Sequence, residues 1–161
     1  VREAIRGVIL RAYTEGIAPR DAVPLIREAL GEPALFPRWQ QAVYNYLADL
    51  TEQGVEQERA EEMARAYRTR LIDARAFMIA RTETVAAQTA GRTEVYQQAL
   101  DEGWLDADTK KRWMAAPEGP CPICEALDGT EVGWDETWAG GVAAPPAHVN
   151  CRCTYVLVEA T

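Results

Sequence analysis

The chain has 161 residues, of which 48% are hydrophobic, and a formal charge of -8. That length buries a real core in one compact unit with a helical arm, and the acidic total excludes a global pull toward nucleic acid or an anionic membrane. No apolar run approaches the roughly 20 residues a membrane-spanning helix needs, and no signal segment is visible, so a soluble protein is expected. A chain that opens on Val1 rather than Met reads as a processed product or as a piece of a longer polypeptide.

Ile5, Ile9 and Tyr13, with Val8 and Ala12 beside them, recur at helical spacing and predict a first helix that Gly16 ends. A second, starting at Pro19 or Asp21, has Leu25, Ile26, Ala29 and Leu30 as its stripe and stops at Gly31 and Pro33. Pro24 fits only a late start, because a proline deeper in the helix removes a backbone hydrogen bond. Trp39, Val43, Leu47 and Leu50 line a third helix that begins at Pro37 and closes at Gly54.

The next helix begins near Glu56 and carries Met63, Tyr67, Leu71, Ala74 and Met78 on one face. Its other face holds Arg59, Arg65, Arg68, Arg70 and Arg75 among Glu58, Glu61 and Glu62, a solvated face of ion pairs rather than a docking surface. The helical pattern continues through Val85, Thr89, Tyr96 and Leu100 to Gly103. An unbroken rod would exceed the usual globular length, so a break or bend is expected at Arg81-Thr82-Glu83-Thr84, with Thr82 or Thr84 as the cap.

Beyond Gly103 the chain turns β-leaning. Thr130-Glu131-Val132 and Cys153 to Val158 predict strands, and Lys111 to Ala115 a third. Trp104, Trp113, Trp134 and Trp138 are expected to pack around that small sheet. The fold class is therefore α+β: a helical arm over residues 1–55, long helices, and a small C-terminal β-rich subdomain within a second region, 56–161.

All four cysteines, Cys121, Cys124, Cys151 and Cys153, and the only histidine, His148, fall in one segment. Soft ligands concentrated this way point to one tetrahedral Zn²⁺ in a structural role, with five candidates for four positions. Residues i and i+2 of an extended strand share a side, so Cys151 and Cys153 can face one centre while Arg152 faces away, and a Cys121-Pro122-Ile123-Cys124 turn can present two sulfurs from the other side. Two disulfides or four reduced thiols are the alternatives; an acidic chain without a signal segment disfavours the former.

Enzymatic readings lack parts. Pro120-Cys121-Pro122-Ile123-Cys124 matches half of a zinc deaminase signature, but the His-x-Glu half is missing. A His-Asn-His nuclease needs a further histidine, and a serine nucleophile is impossible in a chain without serine. An ADP-ribosyltransferase using Arg81 and Glu83 has no strand pattern to carry Arg81.

Ala80-Arg81-Thr82-Glu83-Thr84, Gly91-Arg92, Tyr96, Trp113, Cys121-Pro122-Ile123-Cys124, Leu127-Asp128-Gly129 and Pro145 to Cys153 together resemble the phage Mu protein F-like head morphogenesis family, minor capsid proteins of tailed phages. The resemblance runs from about residue 56 to 158. Thr89 stands where the family commonly has Asn, and Val149 where it commonly has Pro; neither change removes a candidate ligand. The resemblance implies a virion structural role at the portal or capsid interior, reached through the bacterial host cytoplasm during assembly, and no enzymatic activity. It implies portal, major capsid or scaffold proteins as partners, packaged DNA nearby, and no membrane. Given that role, Arg81 or Glu83, together with Arg92, is expected to hydrogen-bond to backbone of the cysteine segment and orient it against the helices.

Overall fold

The computed structural model describes residues 2–31 and 36–158; Pro33, the expected helix stop, lies outside them. The chain divides into two compact units, Val1–Ala80 and Arg81–Thr161. The first is helical. Helix α1 spans Arg2–Thr14, α2 Val23–Leu30, α3 Pro37–Glu52, and α4, which contributes to both units, Gln57–Asp101.

Gly16 ends α1 as expected: its φ of 68° lets the Ile17 N–H reach back to the Ala12 carbonyl at 2.7 Å. The buried stripe of α1 is Ile9 and Ala12, whereas Tyr13, expected on it, is 62% exposed. Helix α2 starts at Val23, later than either predicted start, because Pro24 is tolerated only in a first turn. Ile26 is fully buried there, in a cluster with Ile9, Ala76 and Ala80. The alanines leave room for branched side chains to approach α4. In α3, Pro37 occupies the first turn and Leu50 is buried.

Both side-chain oxygens of Glu56 accept the N–H groups of Glu58 and Arg59, at 3.1 and 3.2 Å, which caps the start of α4. The predicted break at Arg81–Thr84 is absent, and the helix continues for 45 residues. Two threonines cost only a few tenths of a kcal/mol each in helix propensity, and the surrounding Ala80, Ala86, Ala87 and Ala90 favour the helix. Neither threonine starts a new segment. The Thr82 hydroxyl instead accepts the Asn150 N–H at 2.8 Å. Part of the charged face of α4 is solvated, with Arg65 and Glu61 3.6 Å apart, but Arg75, expected on that face, is half-buried with its guanidinium 4.3 Å from the Phe36 ring centre.

In the second unit β1 (Lys110–Met114) is the central strand of an antiparallel sheet with β2 (Glu131–Gly133) and β3 (Thr154–Val158), in the order β2-β1-β3. Alternation along β1 buries Lys111 and Trp113 and leaves Lys110 and Met114 exposed. Trp113 pairs in register with Tyr155, and both join Trp138, Leu127 and three cysteines in one core. The buried Lys111 amine donates to the Glu136 carbonyl at 2.9 Å and lies 5.2 Å from the Trp138 ring centre, with desolvation lowering its pKa. Trp104 departs from expectation: it is 78% exposed and takes no part in the core. Among the described residues no helix is long and apolar enough to cross a membrane. The architecture is α-rich with a small C-terminal sheet, as the α+β expectation had it.

Candidate metal centre

The Cys-x-x-Cys segment forms the start of a short helix, α5 (Pro122–Leu127), where a simple turn was expected. Pro122 needs no hydrogen-bond partner in a first helical turn. Extended Cys121, at the N-cap, lets its sulfur accept the Cys124 N–H at 3.5 Å. The i,i+3 spacing then puts both sulfurs on one side. That N–H is also the main reason the Cys121 thiol pKa is lowered, while burial raises that of Cys124.

The other donors arrive from the chain before β3. His148 Nε2 lies 3.0 Å from Cys121 Sγ and 3.2 Å from Cys124 Sγ. Its Nδ1 is 2.8 Å from the Val149 carbonyl, which can only accept, so Nδ1 is placed to donate there while Nε2 is the ring nitrogen that faces the sulfurs. Cys124 Sγ is 3.9 Å from Cys151 Sγ. Cys151 and Cys153 are both buried, while Arg152 between them is exposed and donates to the Glu118 and Gly119 carbonyls. This is the alternation anticipated for an extended segment, although β3 itself begins one residue later.

The five donors form two triads that share Cys124: Cys121, Cys124 and His148, and Cys124, Cys151 and Cys153. Within each triad all donor atoms lie within 4.8 Å of one another. A tetrahedral zinc with bonds of about 2.3 Å to sulfur has sulfur–sulfur edges of about 3.8 Å, and the Cys124–Cys151 separation matches such an edge. The residues fit a metal ion. All five donor residues line one cavity of about 210 Å³.

Helix α4 braces this segment through polar contacts. Arg81 Nη1 donates to Asn150 Oδ1 at 3.0 Å, a side-chain acceptor where backbone was expected, and Thr82 Oγ1 accepts the Asn150 N–H. Arg92 Nη1 donates to the Thr154 hydroxyl and, at 2.9 Å, to the Tyr155 carbonyl. Thr93 and Tyr155 share a hydrogen bond of 2.8 Å between their hydroxyls. Glu83 is not brought into this network. It is exposed, two residues from Arg81 and therefore on a different side of the helix. A site that needs Arg81 and Glu83 together is not assembled. Asp128 has a structural contact, its Oδ1 accepting the Ala115 N–H at 2.7 Å.

Sequence reasoning did not assign Thr82, Asn150, Thr93 or Tyr155 a part in this bracing. The usable signal was Asn150, since asparagine tolerates the left-handed backbone better than other side chains with a Cβ.

A long helix thus braces a small sheet whose Cys/His cluster can hold a metal ion. A family profile described as Phage Mu protein F like protein matches residues 45–156, more than two thirds of the chain, including all of α4 and the whole donor cluster. The chain belongs to the phage Mu protein F-like family, whose members are structural proteins of phage head morphogenesis. Comparison with curated proteins and with solved structures gave no match. The family associates the protein with the virion.

Proposed function

We propose that this protein is a low-copy minor capsid protein acting at the portal vertex or the capsid interior, and that its donor cluster binds one structural Zn²⁺. The observation that carries the reading is the family match over 45–156, because it attaches head morphogenesis to the same residues that build the cluster. Zinc is supported by the donor chemistry: up to four thiolates and one imidazole suit it, and hard cations prefer oxygen. Four protein ligands leave no open coordination position, so the ion contributes folding free energy rather than a reaction. The partners that suit this role are portal, major capsid or scaffold proteins, with packaged DNA nearby. The formal charge of -8 disfavours extensive nonspecific DNA binding.

Two measurements test it. Zinc quantification is expected to give one ion per chain, and Cys121→Ser combined with Cys151→Ser is expected to abolish both the ion and cooperative unfolding of the Arg81–Thr161 unit. A double variant that melts at the wild-type temperature would overturn the structural zinc. Cross-linking of purified particles is expected to join the protein to portal or inner capsid surfaces; cross-links confined to tail components would overturn the placement.

A further inference from the structure

Asn150 is the one non-glycine residue with positive φ among the described residues, at 67°. It sits between His148, which belongs to one donor triad, and Cys151, which belongs to the other. A left-handed residue reverses the chain over a short distance, and the turn here is closed by the Cys151 N–H bonding to the His148 carbonyl at 3.2 Å. Extended geometry at Asn150 would open that turn.

Two neighbouring residues of α4 grip that one residue by different groups. Thr82 Oγ1 accepts its backbone N–H at 2.8 Å, and Arg81 Nη1 donates to its side-chain oxygen at 3.0 Å. Successive helix positions point about 100° apart, since there are 3.6 residues per turn. The two contacts therefore fix both the position and the rotation of Asn150, which one contact alone would not.

We infer that Arg81 and Thr82 are positioning residues for the metal centre: they hold Asn150 in its left-handed turn, and that turn sets His148 and Cys151 in their respective triads. The inference rests on the reading of the cluster as a zinc site. Its contacts lie outside the donor set, where supporting hydrogen bonds govern ligand orientation and affinity.

The test uses the full chain with zinc, and with cobalt(II) as a spectroscopic substitute. Thr82→Val removes the acceptor at nearly constant shape. Asn150→Ala removes the side chain and disfavours the left-handed backbone, whereas Asn150→Gly restores the backbone alone. Zinc affinity, measured by competition with a chromophoric chelator, is expected to fall about 10-fold to 100-fold in Thr82→Val and Asn150→Ala. Their cobalt ligand-field absorption is expected to shift as well, and Asn150→Gly, which restores the backbone but still lacks the oxygen that Arg81 holds, is expected to recover part but not all of the loss seen with alanine.

That recovery distinguishes turn geometry from lost packing. Affinities within twofold of wild type and unchanged cobalt spectra in Thr82→Val and Asn150→Ala would overturn the inference. Should Asn150→Ala not fold, Asn150→Gly decides: a folded, zinc-binding glycine variant supports the turn, and one that also fails overturns it. A wild-type chain that takes up neither zinc nor cobalt is a separate result, which overturns the reading of the cluster itself.

Discussion

Tyr155 shows how much one side chain does in the small unit. Its ring is in the core beside Trp138 and Tyr96, and its hydroxyl meets Thr93 on α4. Tyr155→Phe removes that hydrogen bond and is expected to cost about 1 kcal/mol at neutral pH. Burial raises the Tyr155 pKa above its ordinary value of 10.0. The folded state thus holds the phenolic proton to higher pH than the unfolded state does. The stability Tyr155 contributes is fully present below pH 10 and is lost as the pH climbs through the raised value. Chemical denaturation above pH 10 should therefore show the gap between wild type and Tyr155→Phe narrowing. Glu83 is the opposite case: exposed and outside the bracing network, it predicts that Glu83→Gln changes stability by less than about 0.5 kcal/mol and leaves metal content unchanged. A larger loss in either would restore the orienting role expected of it from sequence. In the helical unit Ile26, fully buried, should cost about 2–5 kcal/mol as Ile26→Ala, read from the denaturation midpoint at constant slope.

At the scale of elements, what sequence showed depended on whether the controlling physics was local. Gly16, Gly54 and Gly103 mark helix ends because each takes a positive φ, a requirement visible in the residue type alone. Pro24 forced α2 to start late for the same kind of reason. The unbroken α4 was misjudged because helix length was weighed above local propensity: two threonines among alanines cost the helix little, and it runs through them. The helical start in α5 was missed for a subtler reason. Cys-Pro-Ile-Cys suits a turn as well as a first helical turn, and the choice is made by packing Cys124 and Leu127 into the core. Trp104 was misplaced because composition cannot say which tryptophan faces water. Gly91 offers a direct probe of α4: it is helical and exposed, and a Cβ built on it meets nothing within 4 Å. Gly91→Ala is expected to stabilise the protein by about 0.5–1 kcal/mol, measurable as a raised melting temperature. A destabilised variant would mean that the helix geometry near residue 91 differs from that described.

For the whole molecule, the donor cluster was the most legible feature, since rarity and segregation of Cys and His are properties of the sequence itself. Their division into two triads was not, because it depends on how two distant segments meet. Metal removal should therefore act unevenly. A zinc chelator is expected to erase the near-ultraviolet circular dichroism of Trp113 and Trp138, which share a core with the cysteines, while much of the helical far-ultraviolet signal persists. Uniform loss of both signals would show that the two units unfold as one.

The central place of β1 also bears on synthesis. Its two partners both follow it in the chain, and the last to appear, β3, carries the Thr154 that Arg92 grips across 62 positions. A nascent chain that has finished α4 and even β2 still exposes one side of β1 and has only two of its five soft donors. Such nonlocal closure is slow, and it leaves an unpaired strand edge open to neighbours meanwhile. Capture of a metal ion by the full donor set is thereby tied to the emergence of residues 148–153, and a chain stalled before residue 151 is expected to carry a formed α4 and an open sheet.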